Sequence, residues 1–257
     1  KSCPKLQWAK SFAVSFAMLL SEASRIALIG AMPEELSAVL ACMPEAHCEN
    51  VAGRQFWVGH LQGHEVVAVL SGIGKVAAAL TATVLLEKFQ VKRMLFTGVA
   101  GGLAQHVSVG DVVVASELLQ HDMNAEPLFP QYVVPLSGCA KFKTDEDLTR
   151  ILLESARHTL PQVQVHAGLI ISGDQFVASA SESLRLQSAL PEALAVEMEG
   201  AALAQVCRDY GVPLCVVRTL SDRADDEAHI DFPKFVKEVA SHYSVTIVSE
   251  FLKRLPT

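Results

Sequence analysis

Five short segments place reactive side chains beside glycine or at the end of an apolar run. They are Gly30-Ala31-Met32-Pro33-Glu34-Glu35, Ser71-Gly72-Ile73-Gly74-Lys75, Gly98-Val99-Ala100-Gly101-Gly102, Val196-Glu197-Met198-Glu199-Gly200 and Arg218-Thr219-Leu220-Ser221-Asp222. Glu197 and Glu199 alternate at the end of one such run. Residues i and i+2 of an extended strand share a side, so both carboxylates can serve one ligand. Buried there they cost desolvation unless something uses them. Vicinal hydroxyls suit such a pair, because each hydroxyl is a donor and each carboxylate an acceptor. The competing reading is a cap for the helix that follows. Glu34 and Glu35 open another helix, where they complement its dipole or serve a ligand that Gly30 lets close to the backbone. Arg218 and Asp222 are the charges of an otherwise uncharged run, either a structural ion pair or an acid in an activating environment.

The glycine segments are not standard nucleotide loops. Ser71–Lys75 lacks the length and the Lys-Ser/Thr ending of a phosphate loop. Gly98–Gly102 lacks the dinucleotide spacing and the acidic residue about 20 positions later. Both fit tight strand–helix packing, or a wall on which a flat ligand lies. His121-Asp122 and His229 are weaker candidates, since a lone histidine is more often structural. No Ser or Cys sits in a nucleophile elbow to complete a triad.

Positioning these segments requires alternating strands and helices. Strands are predicted at Ile26–Gly30, Met94–Thr97, Val112–Ala115, Gly168–Ser172, Leu194–Met198 and Leu214–Leu220, with a hairpin of Gln55–Gly59 and Glu65–Leu70. Helices are predicted at Pro33–Met43, Lys75–Phe89, Leu148–Leu160, Gly200–Tyr210 and Phe232–Leu252, the last capped by Asp231. Val76, Ala79, Leu80 and Thr83 are the expected inward face of Lys75–Phe89. Asp122–Phe142 reads as a long loop. The alternation implies an α/β sandwich around a mostly parallel or mixed sheet, with ligands gathering where strands give way to helices.

The chain has 257 residues, 51% apolar, with 21 Lys+Arg against 28 Asp+Glu and a net charge of −7. That excludes disorder, and an acidic balance with no basic block excludes a nucleic-acid surface. No apolar run reaches the roughly 18 residues of a membrane span. The mean hydropathy of +0.32 leads us to expect apolar surface between subunits. The six cysteines form no C-x-x-C pair, and no His cluster has zinc spacing, so reduced, cytosolic thiols are expected and no metal site. Residues 1–24 precede the domain at 25–257. Trp8, Phe12, Phe16 and Leu19 fall on one helical face, while Lys1, Lys5 and Lys10 before Ser11–Leu20 also fit a secretory signal, which would mean export.

Six ordered motifs together resemble the 5′-methylthioadenosine/S-adenosylhomocysteine nucleosidase family of the nucleoside phosphorylase superfamily, from Arg25 to about Leu252. They are Ile29-Gly30-Ala31-Met32 with Glu34-Glu35, Ser71-Gly72-Ile73-Gly74-Lys75-Val76-Ala77-Ala78-Ala79, Thr97-Gly98 with Ala100-Gly101-Gly102, Ser172-Gly173-Asp174 with Phe176, Val196-Glu197-Met198-Glu199, and Ser221-Asp222 with Ala224-Asp225. The resemblance implies a three-layer α/β sandwich with a mixed, largely parallel sheet, a homodimer, and no metal or cofactor. It implies that Asp222 protonates adenine N7 and that Glu35 activates the attacking water. Glu197 and Glu199 would accept the ribose hydroxyls, with Met198 on the sugar. Phe176 would stack on adenine, the backbone of Val177 would read its exocyclic edge, and Ser221 and Arg218 would position the acid. Met32, Ile73 and Phe232 would wall the ribose and the 5′ substituent.

The chemistry agrees with these roles. N-glycosidic cleavage passes through an oxocarbenium-like state, so the leaving purine needs a proton and the sugar needs nearby negative charge. An anionic Glu35 would repel a phosphate dianion, which favours hydrolysis over phosphorolysis. Two departures bear on substrate preference. Val99 stands where better-known members carry Ser, and Met123–Leu136 differs from the usual loop over the 5′ group. The substrate candidates are therefore methylthioadenosine, adenosylhomocysteine, 5′-deoxyadenosine or a futalosine-type nucleoside. Purine nucleoside phosphorylase and an idle nucleoside-binding protein on the same fold are the alternatives.

Overall fold

One mixed sheet with an apolar layer on each face organises the chain in this computed structural model, which describes residues 24–30, 32–225, 228, 235, 239 and 241–256. The expectations for residues 1–23, His229, Asp231, Phe232 and most of 233–240 lie outside the described residues, as does the side chain of Glu35.

The strands are β1 (Ile26–Gly30), β2 (His47–Val51), β3 (Arg54–Leu61), β4 (His64–Leu70), β5 (Arg93–Gly102), β6 (Val112–Gln120), β7 (Lys141–Lys143), β8 (Val165–Ser172), β9 (Ala193–Glu197) and β10 (Leu214–Asp222). The helices are α1 (Pro33–Ala41), α2 (Lys75–Glu87), α3 (Glu146–Thr159), α4 (Ala180–Ala189), α5 (Gly200–Tyr210) and α6 (Ser241–Arg254). The strand order is β10-β6-β8-β9-β5-β1-β4-β3-β2, with β7 attached to β6. β1 is buried throughout, as a continuous apolar strand covered on both faces must be.

The ten-residue β5 is long enough to take several partners. Its first half pairs with β1, most of its length pairs with β10, and Gly101 and Gly102 pair with β9. Because β10 also pairs with β6, strands β5, β10, β6, β8 and β9 close into a ring. The ends of β9 and β10 meet the late part of β5 at one rim of this ring.

On one face α2 and α5 pack through Ala78, Ala82, Leu85, Ala201 and Leu203. On the other, α1, α3 and α6 pack through Val39, Leu148, Leu152, Val248 and Phe251. This is the expected three-layer arrangement. α4 covers a third, smaller cluster with Leu186 and Leu190 against Leu103, Ile171 and Val177.

Three readings of the sequence are corrected. The inward face of α2 is Ala78, Thr81, Ala82, Leu85 and Leu86, whereas Val76 is 81% and Leu80 42% exposed. The helix is apolar all round, so periodicity alone could not choose its buried face. Small residues face inward because they let α2 approach the sheet, and Thr81 secures the contact by donating to the Ser71 carbonyl at 2.8 Å. Secondly, Gly98–Gly102 is not a strand-to-helix junction but the continuation of β5. Thirdly, Arg218 does not pair with Asp222. It lies mid-strand in β10, wholly buried, and its ion-pair partner is Glu197 on β9.

Candidate active site

β9 delivers the two carboxylates and then turns. Its extended geometry ends at Glu197, and Glu199 (φ −133°, ψ −39°) precedes α5 as its first flanking residue. The turn sends the two side chains into different tasks. Glu197 bends back over the helix start, where it accepts from the N–H groups of Glu199 at 3.2 Å and Gly200 at 2.9 Å. It also accepts from the Ser172 hydroxyl and from Arg218 Nη2 at 2.5 Å. The capping role weighed for the pair is thus carried by Glu197, and both of its oxygens are engaged by the protein.

Glu199 is held differently. Its Oε1 accepts from the Gly74 N–H at 2.8 Å, just ahead of α2. Burial, then the adjacent Glu197 charge, pushes its pKa up from the usual 4.5 to about 7, against the pull of Arg218. Arg218 itself lies flat on Phe96, its guanidinium carbon 3.7 Å from the ring centroid. Its Nε and Nη1 find no hydrogen-bond partner among the described residues.

Asp222 ends β10 and is buried. Its Oδ2 accepts from the Ser221 hydroxyl at 2.7 Å, and its Oδ1 accepts from the Ala224 N–H at 2.8 Å. A Cβ at Gly101 would lie 2.9 Å from Asp222 Oδ1 and 2.8 Å from the Ala224 Cβ. Glycine is what lets β5 pass this close to the carboxylate.

These groups share one cavity of about 470 Å³. Of the residues singled out in the sequence, Met32, Ile73, Phe176, Val177, Glu197, Met198, Glu199, Ser221 and Asp222 line it. Arg218 does not line it but stands behind Glu197. Val99, Ala100, Gly101, Gln175 and Val196 complete the wall. Gln175 was not singled out, and nothing in its residue type marks it. Val99 packs with Met32 and Phe235 into a small apolar cluster. Among the described lining residues none is cationic. No group of three or more His, Cys, Asp or Glu among the described residues is arranged to hold a metal.

Comparison with known proteins identifies the family. The phosphorylase superfamily profile matches residues 25–253. A 5′-methylthioadenosine/S-adenosylhomocysteine nucleosidase of Bacillus cytotoxicus is 38% identical over 231 residues, 90% of this chain and 99% of the relative. The crystal structure of the corresponding nucleosidase from Neisseria meningitidis, in complex with methylthio-immucillin-A, superposes with a TM-score of 0.86 at 35% identity, covering 90% of this chain and all of that one. A futalosine hydrolase of Helicobacter pylori superposes with a TM-score of 0.84 at 34% identity, covering 91% of this chain and 99% of that one. With a superfamily match over nearly the whole domain and relatives aligned end to end, the chain belongs to the 5′-methylthioadenosine/S-adenosylhomocysteine nucleosidase family of the phosphorylase superfamily.

Proposed function

We propose that this protein hydrolyses the N-glycosidic bond of 5′-thio-substituted adenosines, releasing adenine and the thioribose. The observation that carries the proposal is that two buried carboxylates, Asp222 and Glu199, line one apolar cavity from two strand ends of the ring. Asp222, in its protonated form, gives N7 of the leaving adenine its proton, and Ser221 and the Ala224 N–H fix the carboxyl in place. Phe176 supplies a face for the purine, and Val177 the backbone at its edge. Glu199 accepts the ribose hydroxyls. Glu197, its oxygens already engaged, acts by capping α5 and holding Arg218, and its charge lies beside the developing sugar cation. Glu35, near the start of α1, is assigned to activate the water, and Phe232 to wall the 5′ group, both on the family precedent.

Hydrolysis is favoured over phosphorolysis because a phosphate dianion needs cationic donors, and none lines the described cavity. The similarity to the futalosine hydrolase is nearly as close as to the nucleosidases, so the 5′ group is tested directly. Adenine release is measured by chromatography from methylthioadenosine, adenosylhomocysteine, 5′-deoxyadenosine and a futalosine-type nucleoside, with and without phosphate. Phosphate-independent adenine from the thio-nucleosides supports the proposal. Release that requires phosphate, or only from the futalosine-type substrate, overturns it.

The working form is assigned as a homodimer. The outer face of α2 and its approach present Ile73 and Val76 at 74% and 81% exposure, and adjacent exposed apolar side chains of this kind support a subunit contact there. No described helix is long and apolar enough to cross a membrane. Five cysteines of the described chain are free thiols, which supports a reducing, cytoplasmic setting.

A further inference from the structure

The His121-Asp122 pair takes no part in the chemistry proposed above, yet it sits where both walls of the cavity are anchored. Asp122 is the second residue past the end of β6. Its Oδ1 accepts from Lys75 Nζ at 2.6 Å, and its Oδ2 accepts from the Asp174 N–H at 3.0 Å. The two residues it holds are also joined to each other, since the Lys75 N–H donates to Asp174 Oδ1 at 2.7 Å. Lys75 Nζ further reaches Gln120 Oε1 at 3.2 Å, and Gln120 donates to Gln205 of α5 at 2.8 Å. One residue before Lys75, the Gly74 N–H holds Glu199. Two and three residues beyond Asp174, Phe176 and Val177 line the cavity.

We propose that Asp122 is a positioning residue. It clamps the loop that orients Glu199 to the loop that carries the purine wall, so the ribose-to-purine spacing of the site is set from outside the cavity.

Two glycines fit this junction and little else. A Cβ at Gly74, where φ is +89°, would lie 2.9 Å from Asp174 Oδ1, and a Cβ at Gly173 would lie 2.3 Å from His121 Nε2. The His121 ring is buried under Gly173, with neither nitrogen partnered among the described residues. It acts there as a packing floor for the purine loop. An exposed ion pair contributes little on its own. Here the partly buried carboxylate joins two segments of the chain through a charged donor and a backbone donor, and such charge-assisted bonds are the strong ones. Burial pushes the pKa of Asp122 up, but the Lys75 and Asp174 donors outweigh it and hold it below the ordinary value. The clamp therefore stays ionised at neutral pH.

The inference rests on the functional reading above, so the test separates the two. Wild type, Asp122→Ala, Asp122→Asn, Lys75→Met, Lys75→Arg and the double variant Asp122→Asn/Lys75→Met are compared for kcat and KM with methylthioadenosine. Adenine Kd is measured by calorimetry, and amide hydrogen exchange is followed at Gly74, Lys75 and Asp174. Asp122→Ala is expected to raise KM and adenine Kd together by about 10- to 100-fold, the scale of a lost charge-assisted hydrogen bond. kcat should stay within about threefold, and the three amides should exchange faster. Lys75→Arg should keep KM near wild type, and the double variant should be no worse than the worse single one. A loss confined to kcat or to the folded fraction, with KM and adenine Kd unchanged, would overturn the clamp, as would fully additive losses. Should Asp122→Ala fail to fold, Asp122→Asn carries the comparison, because its amide can still accept from Lys75 but not also from Asp174. If wild type releases no adenine, the functional reading fails. Amide exchange then decides the clamp alone: faster exchange at Lys75 and Asp174 supports it, and unchanged exchange overturns it.

Discussion

Glu199→Gln should make the protein more stable, and more so as pH rises. In the folded state Glu199 binds its proton up to about pH 7, against the usual 4.5. Between those values the folded chain holds a proton that the unfolded chain has lost, so stability falls with rising pH. The cost is near zero below 4.5 and complete above 7. At about 1.4 kcal/mol per pH unit this amounts to about 3 kcal/mol in alkaline solution. Glutamine keeps an acceptor for the Gly74 N–H but carries no charge to desolvate or to oppose Glu197. For a domain of this size about 3 kcal/mol corresponds to roughly 6–12 °C in Tm. Thermal denaturation of wild type and Glu199→Gln at equal protein concentration and ionic strength, from pH 4.5 to 9, measures it. The two curves should converge at the acid end and separate through pH 7, with the variant above. Parallel curves, or a variant less stable at pH 9, would refute the account of Glu199 as the strained carboxylate.

Three further outcomes follow from the site. Asp222→Asn removes the proton donor while keeping hydrogen-bonding oxygen in place. It should lower kcat by about 10²–10⁴-fold with a small change in KM, read by steady-state adenine release. Gly101→Ala puts a methyl group against Asp222 Oδ1 and the Ala224 Cβ. It should lower kcat at least about 10-fold, because catalytic groups displaced by even about 1 Å lose their geometry; wild-type kcat would show that the acid has room to spare. Val76→Glu places a charge on the exposed face of α2. Sedimentation velocity should show a shift from dimer to monomer at micromolar protein, and an unchanged sedimentation coefficient would exclude that face from the interface.

The legible parts of the sequence were those where a local signal matched its context. β1 is an unbroken apolar run closed by Gly30, and α5 starts at Gly200 and stops at Gly211 in the left-handed region with φ 68°. β2 was missed because its residues are all at least partly exposed and carry His47, Glu49 and Asn50, which show no alternation of the half-buried kind. α4 was also missed, although Ser179 and Glu182 form an S-x-x-E signal and Ser179 does accept from the Glu182 N–H at 3.3 Å. At the site, residue type marked Glu197, Glu199, Arg218 and Asp222 as unusual, and all four are buried. What it could not give was the pairing. Arg218 joins Glu197 across strands 21 positions apart in sequence, while its neighbour in the motif, Asp222, is satisfied locally by Ser221 and Ala224.

The division of labour between Glu197 and Glu199 has an energetic consequence for catalysis. One carboxylate of the pair is ion-paired with a buried arginine and saturated with donors, so it is fixed in place. The other has the Gly74 N–H as its donor and holds its proton to about 7, so ionising it is costly while the site is empty. Ribose hydroxyls supply the missing donors and lower that cost. The positive charge that grows on the sugar as adenine leaves lowers it further, and it does so only in the transition state. Interactions that strengthen at that point raise kcat rather than only tightening binding. A carboxylate held unfavourably in the free protein therefore serves the reaction better than one already satisfied, and the stability it costs is the measure of what the substrate can relieve. On this account the pH at which Glu199→Gln gains most stability is also the pH at which it loses most activity.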